Sequence, residues 1–62
     1  MPVIIVESNP ISVEKKRKLV KEITKTVSKI YELPENTVTI LIRELEREDI
    51  GTNGKLLADL DK

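Results

Sequence analysis

The 62-residue chain contains neither cysteine nor histidine. Without cysteine there is no disulfide, no thiolate nucleophile and no thiolate metal site. Without histidine the commonest acid/base residue and metal ligand is missing as well. Aromatic content is a single tyrosine, Tyr31, with no phenylalanine or tryptophan. An excess of one charge sign is also absent, because eleven basic residues balance eleven acidic ones. Global charge therefore argues for neither a nucleic-acid nor a membrane partner. No apolar run approaches the roughly 20 residues of a membrane span, and no signal peptide precedes the first hydrophobic stretch. The expected setting is soluble and cytoplasmic.

A chain of this length forms one domain, residues 1–62, and buries too little surface to be comfortable alone. With disulfides and metals unavailable as staples, oligomerisation is the one that remains. Charged residues make up 35% of the chain, led by Lys and Glu, a balance that resembles heat-adapted proteins.

What the chain does have begins at its second residue. Met1 is followed by Pro2 and then by the β-branched run Val3-Ile4-Ile5-Val6. An initiator methionine before so small a residue is normally removed, which exposes proline as a terminal secondary amine. Such an amine is both nucleophile and titratable base. Desolvation at the start of a buried strand lowers its pKa toward neutrality, and an uncharged amine near pH 7 is what general-base chemistry needs.

The remaining pattern predicts strand, helix, strand and an irregular tail. Val3–Val6 is apolar on both faces and is followed by the polar break Glu7-Ser8-Asn9-Pro10. Ser12 is a good N-cap, with Glu14 in the first turn. Leu19, Val20, Ile23, Val27, Ile30 and Tyr31 then recur at helical spacing. The helix should end near Tyr31, because Leu33 precedes Pro34. Residues 37–43 predict a second strand, with Val38, Ile40 and Ile42 on one face and Thr39, Leu41 and Arg43 on the other. Asn53-Gly54 suits a tight hairpin turn. A helical crossover makes the two strands parallel neighbours. One helix covers one sheet face, so the other apolar face needs a second subunit. The fold class is α+β: a β-α-β unit with a short C-terminal hairpin, assembled as an oligomer.

The pieces Pro2-Val3-Ile4, Ser12-Val13-Glu14-Lys15-Lys16, Val38-Thr39-Ile40-Leu41-Ile42-Arg43-Glu44 and Gly51-Thr52-Asn53-Gly54 resemble, in order and spacing, the 4-oxalocrotonate tautomerases. The resemblance covers nearly the whole chain. It implies a homohexamer, arranged as a trimer of dimers, in which Pro2 is the general base. That base moves a proton between the enol oxygen of a 2-hydroxymuconate-like or related enol acid and a carbon of the conjugated chain, with no cofactor and no metal.

The departures concern the substrate. Family members hold it with two arginines and an apolar phenylalanine wall. Here the first arginine position, before the helix, has Pro10-Ile11 in a loop one residue shorter, and the second has Thr39. The phenylalanine position falls on Ile50, which keeps the wall apolar. Arg43 shares the strand face of Thr39 and is the substitute candidate, but four residues of strand is about 13 Å. It reaches a site only through the oligomer, and a salt bridge to a partner's carboxylate competes with that role. Lys16 is placed to look toward the site, whereas the run Lys15-Lys16-Arg17-Lys18 reads as a solvated helix face. Gly51 lacks the lysine-serine pair of a phosphate loop, and Tyr31 reads as core with its hydroxyl at the surface. Two other functions stay open. One is hydration or dehalogenation of an unsaturated acid from the same proline, with Glu7, Glu44 or Asp49 activating water. The other is a non-enzymatic assembly module.

Overall fold

The computed structural model describes residues 1–61. It places β1 at Val3–Ser8, α1 at Val13–Tyr31, β2 at Thr39–Glu44, β3 at Gly51–Thr52 and β4 at Lys55–Leu56. Short 3-10 turns cover Glu35–Thr37, Arg47–Asp49 and Leu57–Asp61. β1 and β2 pair in parallel with Val3 aligned on Thr39 and Ser8 on Glu44. β3 and β4 form a separate antiparallel hairpin. The α+β architecture of a β-α-β unit and a C-terminal hairpin is as the sequence predicts.

Local chemistry explains the boundaries. Ser12 caps α1, its Oγ accepting the Lys15 N–H at 3.2 Å, which satisfies one of the donors that a helix start leaves free. At the other end Glu32 takes the left-handed conformation, φ 56°, and its N–H donates to Ser28 C=O. The Leu33 N–H donates to the same carbonyl, closing the helix before Pro34. Asn53 and Gly54 both have positive φ, 55° and 78°, the geometry of the expected hairpin turn.

Three details differ from the sequence reading. β2 begins at Thr39 because Thr37 folds back into a turn, its Oγ1 donating to Pro34 C=O at 2.7 Å; a short hydroxyl side chain competes this way with strand pairing. β1 runs on to Ser8, whose carbonyl accepts the Leu45 N–H at 2.8 Å. Tyr31 is not core: it and Ile30 are 60% and 73% exposed. A 19-residue helix is about 28 Å long, whereas six-residue strands span about 20 Å. The helix is longer than the sheet, and Ile30 and Tyr31 of its last turn stay exposed.

α1 shields the sheet face of Ile4, Val6, Ile40 and Ile42, which are half-buried. On the opposite face Val3, Ile5 and Leu41 are 50%, 49% and 46% exposed. Among the described residues no side chain is fully buried, so each aliphatic group delivers only part of the roughly 1.5–3 kcal/mol of complete burial. No helix among the described residues is long and apolar enough to cross a membrane.

With so thin a core, helix capping carries weight. Ser12→Ala should destabilise the protein by about 1 kcal/mol, read as a lower urea midpoint at fixed protein concentration. An unchanged midpoint would show that the Ser12 cap is replaced by solvent without cost.

Candidate active site

Pro2 lies immediately before β1, and its carbonyl accepts the Thr39 N–H at 3.0 Å. This bond extends the parallel ladder one residue beyond Val3, so backbone pairing, not a flexible tail, sets the position of Pro2. The residue is half-buried, while Met1 in front of it is 90% exposed. Removing Met1 would therefore leave a secondary amine anchored where the two parallel strands start. Thr39, itself exposed, stands beside it. These two of the sequence-predicted site residues are brought together.

Arg43 and Lys16 lie at the opposite end of the sheet. Arg43 is in register with Glu7, and its Nη1 lies 3.5 Å from Glu7 Oε1. Lys16 does not face Pro2: its Nζ lies 3.0 Å from Glu44 Oε1. The second oxygen of Glu44 accepts the Ile11 N–H at 3.1 Å. One carboxylate thus ties the loop before α1 and the first turns of α1 to the end of β2. The Lys16 hydrogen bond, followed by the Ile11 N–H, holds the Glu44 carboxyl below its ordinary value of 4.5, against a smaller opposing effect of desolvation. Ile50 follows the Arg47–Asp49 turn, past the end of β2, where its carbonyl accepts the Leu57 N–H at 2.9 Å.

A single chain therefore assembles Pro2 and Thr39 and leaves Arg43 four strand residues away, in register with Glu7. One shallow groove is lined by Val13, Lys16, Arg17, Val20 and Lys21 and another by Lys25, Thr26, Lys29 and Ile30; both lie along α1. Among the described residues no cluster of carboxylates could hold a metal ion. The partners of Arg43 and Lys16 were not anticipated from sequence. For Arg43 a signal existed, since Glu7 stands four residues after Val3 as Arg43 stands four after Thr39.

The fold finds its counterpart in known proteins. A family model described as tautomerase enzyme matches residues 2–60, from Pro2 onward. The chain belongs to the tautomerase family. Family membership supports a tautomerase-type isomerase. Among solved tautomerase-fold structures, DmpI from Archaeoglobus fulgidus is 41% identical, with a TM-score of 0.81 and 94% of this chain and 100% of that one covered. An isozyme of 4-oxalocrotonate tautomerase from Methylibium petroleiphilum is 32% identical, with a TM-score of 0.83 and coverage of 95% and 94%. A further 4-oxalocrotonate tautomerase homologue is 30% identical, with a TM-score of 0.87 and 95% of both chains covered. No curated protein matches the chain.

Glu44 gives this chain an acid-sensitive brace. Its folded pKa is depressed, so its contribution to stability is present above the ordinary carboxylate pKa and is lost as pH falls through the lowered value. Glu44→Gln should lower stability at neutral pH and flatten the fall in stability below about pH 4.5. Thermal melts from pH 3 to 7 would check it; parallel profiles for parent and variant would contradict it.

Proposed function

We propose that this chain is a cofactor-independent tautomerase in which Pro2, freed of Met1, is the general base. The observation that carries the reading is the half-buried proline held by the Thr39 N–H at 3.0 Å, in a chain whose family match starts at that proline. A neutral secondary amine takes the hydroxyl proton of an enol acid and becomes an ammonium. The same ammonium returns the proton to a carbon of the conjugated chain, giving the keto isomer, and the amine is regenerated. No redox change occurs, so no cofactor is called for.

Pro2 and Thr39 form the half-site of one chain. Ile50, past the far end of β2, serves as an apolar wall for the Pro2 of a neighbouring copy. Arg43, beside Glu7 at the far end of the strand, can serve only the site of a neighbouring copy. The active species is a homo-oligomer, in line with the hexameric trimer of dimers that the resemblance implies. It is supported by the exposed face of Val3, Ile5 and Leu41 and by the lack of any fully buried side chain among the described residues. Hydration or dehalogenation is less well supported, because Glu7 and Glu44, two of the three carboxylates that could activate water, are committed to ion pairs.

The proline assignment has a kinetic signature. kcat/KM for enol tautomerisation should rise with pH through one ionisation below the α-amino reference of about 8. Pro2→Ala retains an amine, but a primary and more mobile one, and should lose about 10²-fold in rate. Intact-mass measurement should show Met1 absent. Full activity in a preparation that quantitatively keeps Met1 would refute the base.

Substrate charge follows from the same site. Thr39 is neutral, and within the chain Lys16 and Arg43 stand at the other end of the strands beside Glu44 and Glu7, so a second carboxylate on the substrate meets no cation at the Thr39 position. A monocarboxylate enol should be turned over at least as efficiently as 2-hydroxymuconate, with the diacid showing the higher KM. Thr39→Arg should raise kcat/KM for the diacid about tenfold relative to the monoacid, as a charge-assisted hydrogen bond allows. A parent enzyme that strongly prefers the diacid would contradict this substrate assignment while leaving the base untouched.

A further inference from the structure

The sheet face turned away from α1 holds three registered pairs: Val3 beside Thr39, Ile5 beside Leu41 and Glu7 beside Arg43. Its first two rows are largely aliphatic and half exposed, with Val3, Ile5 and Leu41 between 46% and 50% accessible. Its third row is an ion pair, Arg43 Nη1 to Glu7 Oε1 at 3.5 Å, with the side chains 59% and 53% exposed. A face ending in a lone charge would suit a partner of opposite sign. This face carries one charge of each sign at fixed positions on adjacent strands, in a chain whose charges sum to zero. It is therefore complementary to itself. In a symmetric assembly, aliphatic rows can meet aliphatic rows while Glu7 of one copy meets Arg43 of the next.

We propose that the Glu7–Arg43 pair is the recognition element by which this sheet face selects a second copy of this chain, pairing between copies as well as within one. The inference rests on the oligomeric reading above and adds the residues that decide which surfaces meet. In solvent such a pair contributes little. Covered by a second copy, the same two charges are desolvated, and a missing or reversed partner leaves one of them uncompensated. An unmatched surface laid on this face is thereby penalised, which is how charges confer selectivity on an otherwise greasy interface. The pair sits at the opposite end of the strands from Pro2, so it acts on assembly without entering the chemistry of its own chain.

Two reversals test it. E7R presents two cations on the face and R43E two anions. Sedimentation of each variant alone should show the dissociation constant of the assembly raised about tenfold or more over the parent. Mixed in equal amounts, the two variants should co-assemble, and native mass spectrometry should find both chains in one particle. A purely intrachain ion pair predicts no such rescue, because each chain keeps its own like-charge repulsion in the mixture. The exchanged variant E7R/R43E should assemble as the parent does, which also guards against reversals that merely fail to fold. Parent-like assembly of both single variants, a mixture that stays apart, or an exchanged variant that stays dissociated would each overturn the proposal. A parent that is itself monomeric at micromolar concentration would refute the oligomeric reading, a failure told apart by its appearing before any substitution is made.

Discussion

The parallel register of β1 on β2 is the constraint from which the rest of the molecule follows. Aligning Val3 with Thr39 puts the Pro2 carbonyl under the Thr39 N–H and so fixes Pro2 against Thr39. The same register sends Ile4, Val6, Ile40 and Ile42 to α1 and Val3, Ile5 and Leu41 to the open side. Four residues further along it lays Glu7 against Arg43. Because side chains alternate between faces, a slip of one residue would invert every one of these relations.

Charge is distributed along this frame unevenly. Two cations near the end of β2 are matched by carboxylates of the same chain, Lys16 by Glu44 and Arg43 by Glu7. The start of the strands, where Pro2 and Thr39 meet, has a neutral strand residue where the family carries an arginine. A proline amine is kept uncharged more easily in a site that is desolvated by its neighbours, and an isolated chain offers Pro2 only partial cover.

The order of elements, the Ser12 cap, the helix stop before Pro34 and the Asn53-Gly54 turn were legible in the sequence because each is dictated by neighbours within a few residues. Hydrophobic periodicity over residues 19–31 located the helix but overcounted its buried stripe. Ile30 and Tyr31 keep the right spacing, yet the sheet is shorter than the helix, and only the relative lengths of the packed elements reveal the difference. Thr37 was read as strand because a β-branched residue favours extended backbone, whereas its hydroxyl instead closes a turn onto Pro34.

The site divides along the same line. Pro2 is a candidate from sequence because the chemistry proposed for it depends on its place ahead of a hydrophobic strand, and the position of Thr39 beside it is legible because the strand pattern is local. The pairing of Lys16 with Glu44, of Arg43 with Glu7, and of the Ile11 N–H with Glu44 joins residues separated by 28 to 36 positions. Periodicity carries no information about which distant groups meet. Side-chain pattern and end chemistry were therefore set by the sequence itself. Which charges are already satisfied, and how far Arg43 lies from the proline of its own chain, depended on strand register and strand length, and those exist only once the chain has folded.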